Sequence, residues 1–236
     1  MKFTVLTLFP EAFKSYLNES IIARAINQNQ VLIEIVDFRN FSENKLKQVD
    51  DYQYGGGGGM VIALPAIVKA IHHYKTPHSK VYLLSPQGTV YNQSIAVELV
   101  KSNEHIILIC GHYEGFDERI INYVDGLISI GDYIITGGEL GAMVVLDSCI
   151  RLIEGVITSQ SLTAESFSND LLDYPVYTKP LNFEGHKVPD VLLSGNHQKI
   201  DEFRKTEQVS KTKKYRPDLY KRYLNKIQGE KKYGKK

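Results

Sequence analysis

Apolar runs alternate with amphipathic ones along the first two thirds of the chain. Residues 3–9 form an apolar run that predicts a buried strand, and residues 31–38 predict a second. Between them, residues 11–17 and 20–28 carry helical spacing. Residues 40–64 are polar and glycine-rich and predict a long loop. Pro65 suits the first turn of a helix reaching Tyr74. Strands are predicted over 80–84, 105–110 and 126–130, with helices over 93–102, 116–124 and 139–153. Such alternation predicts an α/β domain with a mostly parallel sheet. Ligands in that architecture bind beyond the carboxyl ends of the strands. No internal repeat is visible.

Three of the predicted strands end alike. The first runs into Ser85-Pro-Gln-Gly88, the second into Gly111-His-Tyr-Glu-Gly115, the third into Gly131-Asp-Tyr. If the strands are parallel neighbours, these loops line one crevice. Ordinary strand-to-helix turns would explain the glycines but not Glu114 and Asp132 beside them. The third loop leads to Gly137-Gly138 and a helix. Backbone without side chains lets a ligand lie close, and free N–H groups at a helix start can bind polar atoms. The same pair also suits a plain turn. No G-x-G-x-x-G stands at a strand–helix junction and no G-x-x-x-x-G-K-[ST] occurs, which disfavours a dinucleotide-binding enzyme and a P-loop NTPase. The five glycines 55–59 fit either a floppy linker or close approach to a base or phosphate.

At 236 residues the chain holds one large or two modest domains. Its net charge of +1 hides an asymmetry. Residues 199–236 carry 14 Lys and Arg against 5 Asp and Glu, so this end is +9 and the remainder −8. A basic C-terminal segment on a faintly acidic body points to a polyanionic partner, although Lys231 to Lys236 suit a solubilising tail. Cys110 and Cys149 sit in apolar runs and read as buried, reduced thiols of a cytosolic protein. The apolar run at the start is too short for a signal peptide, and no stretch could span a membrane. The histidines show no metal spacing, and no zinc site is predicted.

The strings DDxxYGGGxGM, LSPQG, ICGHYEGFDER, SIGDYIITGGELGAM, LLDYPVYTKP and VPDVLLSGNH stand in this order. With them, the chain resembles the bacterial tRNA (guanine-N1)-methyltransferases from about residue 2 to about residue 224. That family methylates the guanosine immediately 3′ of the anticodon, position 37 of tRNA. The resemblance implies a SPOUT-type knotted parallel-sheet domain followed by a small, mostly helical domain. Chain-topology rules alone would argue against a knot. It implies domains at 1–157 and 171–236, the second binding tRNA, with a linker over 158–170. It also implies an obligate homodimer with shared active sites and S-adenosylmethionine as methyl donor. A loosely held Mg²⁺ is implied too, for which the sequence gives no dedicated site.

Carried over by motif, the cofactor contacts fall on Leu84, Ser85 and Pro86 of the first loop and on Gly111 and Glu114 of the second. They then fall on Ile130, Gly131, Asp132, Tyr133, Ile134 and Ile135 of the third, and on Gly137 and Gly138. A surface ion pair with Arg119 is the plainer role for Glu114. N1 of neutral guanine carries a proton, so a base must take it while a cation steadies charge on O6. The family's arginine matches Arg151, which would also suit a helix C-terminus as a plain cation. Its aspartate, in a DSF segment, matches Glu165 here, one methylene longer. Asp170 and Asp173 are the alternative bases. Lys179 stands where the family often has Arg, Asp170 where Gly is usual, and Glu154 where Pro is usual. A SPOUT enzyme acting on a ribose 2′-hydroxyl, or a non-catalytic RNA-binding relative, are the alternatives. In the C-terminal part, helices are predicted over 197–208 and 217–227. Their lysines and arginines, from Lys199 to Arg222, would meet phosphates. Tyr215 and Tyr220 suit core packing more than base stacking.

Overall fold

The computed structural model describes residues 1–158, 165–167 and 169–233, with side chains to residue 228. The rest of the predicted linker, residues 159–164 and 168, and the last three residues lie outside the described residues. The chain divides into two compact units, residues 1–157 and 158–236.

The first unit is an α/β domain on a five-stranded, all-parallel sheet. Its strands are β1 (Lys2–Thr7), β2 (Leu32–Asp37), β5 (Ser79–Val90), β6 (His105–Ile109) and β7 (Gly126–Ser129), in the order β2-β1-β6-β5-β7. The central strands β1 and β6 are apolar almost throughout because both of their faces are covered. Phe3, Val5, Ile106, Leu108 and Cys110 face one core, and Leu6, Leu8, Ile107 and Ile109 face the other, following the two-residue period of a strand. The helices α1 (Lys14–Leu17), α2 (Ser20–Asn27), α4 (Gln93–Ser102) and α5 (Glu139–Ile150) accompany the first core. The helix α3 (Leu64–Tyr74) covers the second, with Pro65 in its first turn. The Asn92 side chain caps α4 by accepting from the amides of Ser94 and Ile95.

Four expectations are corrected. The predicted helix over 116–124 is a 3₁₀ segment, Glu118–Tyr123. The helix predicted to reach residue 153 ends at Ile150, with Arg151 as its C-cap. The loop over 40–64 contains a two-residue antiparallel ladder, β3 (Asp50–Asp51) with β4 (Val61–Ile62). The first of the three predicted strand-end loops does not end a strand. Leu84 and Thr89 both pair with Ile128, so Ser85-Pro-Gln-Gly88 bulges out of β5 and the strand resumes. Only glycine fits at the foot of this bulge, since a β-carbon on Gly88 would lie 2.5 Å from the backbone of Ile128.

The second unit holds a small hairpin, β8 (Asn182–Phe183) with β9 (His186–Lys187), and two helices, α6 (His197–Tyr215) and α7 (Pro217–Tyr233). Buried Thr212 of α6 accepts the amide of Leu172 and donates to the Gln208 carbonyl, tying residues 171–173 to the helix.

Candidate functional site

The bulge of β5 and the carboxyl ends of β6 and β7 open on a cavity of about 480 Å³, within the range of small-molecule sites. From the first loop, Leu84, Ser85, Pro86 and Gln87 line it. From the second come Gly111, His112, Tyr113, Glu114 and Phe116. Ile130, Gly131, Tyr133, Ile134 and Ile135 line it from the third, followed by Gly137, Gly138 and Gly141. Every predicted cofactor residue except Asp132, which is exposed, lines this one cavity.

Close backbone approach shapes the walls. The Gly138 amide donates to the Gly111 carbonyl at 2.9 Å. A β-carbon on Gly138 would stand 2.7 Å from the Cα of Cys110. One on Gly141 would stand 3.2 Å from Leu84 Cδ1, so these glycines keep the first turn of α5 open toward the cavity. No side chain caps α5 at Gly138. Gly131 takes a φ of +142°, which frees the third loop to turn back.

The glycine-rich run is attached to this site. The amide of Glu114 donates to the Met60 carbonyl at 3.0 Å, and that of Ile62 to the Gly115 carbonyl at 2.8 Å. A β-carbon on Gly59 would meet Glu114 Cγ at 2.6 Å. The Gly59 end therefore packs closely against the Glu114 side chain. Arg119 is committed to Asp117, at 2.5 Å, rather than to Glu114. Its guanidinium holds the Asp117 carboxyl down, at about 2. Burial pushes the Cys110 thiol well up, and the negative charge of Glu139 adds to this. Cys110 and Cys149 are both buried and unbridged.

Two residues behind the cavity lining, Thr7 and Glu139, were not singled out by sequence. Glu139 is buried, and its Oε1 accepts from Thr7 Oγ1 at 2.6 Å. Its Oε2 lies 3.6 Å from His112 Nε2. A carboxylate opening a long apolar run, and a threonine closing an apolar strand, were the available signals.

The family model described as tRNA (Guanine-1)-methyltransferase TrmD matches residues 1–222. The chain belongs to this family. Curated relatives named tRNA (guanine-N(1)-)-methyltransferase agree along their length. The one from Malacoplasma penetrans is 62% identical over 224 residues, covering 95% of this chain and 99% of the relative. That of Ureaplasma urealyticum is 59% identical over 225 residues, with 95% and 99% covered. That of Mycoplasma pneumoniae is 52% identical over 226 residues, with 96% and 97% covered.

In this member of the TrmD family, Arg151 lies at the far end of α5 from the cavity. Thirteen residue steps separate it from Gly138, about 20 Å at 1.5 Å per residue. Glu165 belongs to the second unit, where Ser166 Oγ accepts the Asp173 amide at 2.9 Å and the Phe167 amide reaches the Leu171 carbonyl at 2.8 Å. Asp170 has a φ of +57°, the region where glycine is easiest and Asp is tolerated. Among the described residues, no group of three His, Cys, Asp or Glu could hold a metal ion. In the second unit Lys199, Lys205, Lys213, Lys214, Lys221 and Arg222 are exposed. Tyr215 is 61% exposed rather than packed in a core, and Tyr220 stacks on Tyr223 at 6.5 Å.

Proposed function

We propose that the protein methylates N1 of the guanosine at position 37 of tRNA, using S-adenosylmethionine, as a cytoplasmic homodimer. The observation that carries this reading is the convergence of the β5 bulge and the loops after β6 and β7 on one cavity, lined by the residues the family motifs point to. The fit to the donor is physical. Aliphatic walls from Leu84, Ile130 and Ile135 suit an adenine ring, and glycine backbone at 111, 131, 137 and 138 offers polar groups without bulk. Glu114 offers a carboxylate to a positively charged ligand.

When bound, S-adenosylmethionine supplies an electrophilic methyl on its sulfonium. The chain supplies the rest. Glu165 accepts the N1 proton of guanine as attack proceeds. Arg151 donates to O6, where negative charge gathers. The exposed lysines and arginines of α6 and α7 grip phosphates, which gives affinity without choosing a base. The target guanine leaves its stack to present N1.

Two features support a dimer with shared sites. Arg151 and the glycine end of the cavity stand at opposite ends of α5, too far apart to serve one guanine from one chain. The outward face of α5 is apolar in its first two turns, with Leu140 59% and Val144 46% exposed, before Asp147, and an apolar outer helix face calls for cover. A trefoil knot through the cavity loops, and the division into a catalytic domain at 1–157, a linker at 158–170 and a tRNA-binding domain at 171–236, belong to the same reading.

Incubation of the protein with labelled donor and tRNA transcripts tests it. Label on tRNA with a reverse-transcription stop at the residue after the anticodon supports it. Label without that stop indicates ribose methylation, and donor binding without label indicates a non-catalytic relative.

A further inference from the structure

The geometry points to Glu139 as a positioning residue that, through Thr7 and His112, holds the methyl-donor loop at its working height. This rests on the donor-binding reading of the cavity.

Glu139 opens α5, where the helix dipole favours a carboxylate. Its carboxylate bonds outside its own helix. Thr7 Oγ1, at the carboxyl end of β1, donates to Oε1 at 2.6 Å. The same hydroxyl accepts the Phe9 amide at 2.9 Å, so its one proton is directed at the carboxylate. On the other side His112 Nε2 lies 3.6 Å from Oε2, and the His112 ring rests on Phe9, with centroids 4.5 Å apart.

A buried carboxylate is costly unless bonded, so its retention here asks for a reason. Gly137 supplies one. A β-carbon there would collide with both Glu139 Oε2 and His112 Nε2. The pair therefore fills the space beside Gly137, while Gly137 and His112 themselves line the cavity. His112 is two residues from Glu114, in the short loop between Gly111 and Gly115. Fixing its ring fixes the height of that loop against the start of α5. Glu139 touches no reacting group in this arrangement and acts only through His112 and the Gly137–Gly138 turn.

The test compares the parent chain with Glu139→Gln, Thr7→Val and Thr7→Ser. Binding of S-adenosylhomocysteine is measured by calorimetry, and KM is measured separately for donor and for tRNA. Glu139→Gln and Thr7→Val are expected to weaken binding and raise the donor KM about tenfold, within the reach of a small misplacement. The tRNA KM should stay within about twofold. Thr7→Ser, which keeps the hydroxyl, should restore donor affinity. Donor affinity unchanged in both Glu139→Gln and Thr7→Val overturns the inference. So does an equal rise of both KM values, or failure of Thr7→Ser to restore binding. If Glu139→Gln fails to fold, the Thr7 pair alone decides. A parent that neither binds the ligand nor methylates tRNA would instead refute the functional reading.

Discussion

Gly138 and Gly111 meet backbone to backbone, the Gly138 amide donating to the Gly111 carbonyl at 2.9 Å. This contact joins the start of α5 to the end of β6 and closes one wall of the cavity. A β-carbon on Gly138 would press on Cys110 Cα and, at 2.9 Å, on the Gly111 nitrogen. Gly138→Ala should therefore cost about 1–3 kcal/mol of stability, the usual range for overpacking, and weaken S-adenosylhomocysteine binding. A β-carbon on Gly58 meets nothing within 4 Å, so Gly58→Ala should be neutral or slightly stabilising. Denaturant unfolding of the two variants checks the contrast, and equal losses would contradict it.

Glu165→Gln should lower kcat by about a hundredfold or more, the scale of a lost general base, with donor affinity unchanged. Asp173 is the sharpest competitor. Its amide is held by Ser166 Oγ, and its Oδ1 is buried with no hydrogen-bond partner among the described residues. Single-turnover rates of Glu165→Gln and Asp173→Asn decide between them. Full turnover in the first with loss in the second would move the proton to Asp173.

Arg151→Ala should lower kcat by about 10²–10³, as for loss of one donor to a developing oxyanion. Arg151→Lys should recover only part, because lysine lacks the planar fork. Donor binding should not change in either. A variant that loses donor binding and turnover together would remove the O6 role.

If the proposed homodimer forms through the outward face of α5, Val144→Glu should give monomers in sedimentation and abolish methyl transfer. Active monomers would show that one chain completes its own site, against the separation of Arg151 from the cavity.

His105 gives a pH dependence with a definite sign. It is buried between Thr4 Oγ1, 2.9 Å from Nε2, and Ser79 Oγ, 2.8 Å from Nδ1. Burial lowers its pKa below the ordinary 6.5, and the charge of Lys2 adds to this while Glu34 opposes it. The unfolded chain thus binds a proton that the folded one resists. Its contribution is fully present above about pH 6.5 and fades as pH falls through the lower folded value. Unfolding of the parent between pH 7 and pH 5 should show a steeper loss than that of His105→Asn. Parallel curves would contradict it.

Most of the sheet was legible because strands buried on both faces are continuously apolar, and Gln93–Ser102 was bounded as observed because Asn92 caps it. The Ser85–Gly88 bulge was not legible, since a strand that leaves and rejoins the same partner residue carries no local mark. Helix α5 was overextended because Leu152 and Ile153 continue its apolar run beyond the cap. At the site, the glycines after β6 and β7 marked the cavity, and the predicted cofactor residues line it apart from Asp132. Thr7 and Glu139 escaped notice because their bond spans 132 positions of sequence. No local pattern reports such a pairing.

Nucleoside mass spectrometry of tRNA after incubation with protein and S-adenosylmethionine tests the central claim most directly. A transcript with guanine at position 37 and one with adenine there should be compared. The account predicts 1-methylguanosine from the first alone. A 2′-O-methylated nucleoside, or 1-methylguanosine from both transcripts, would contradict it.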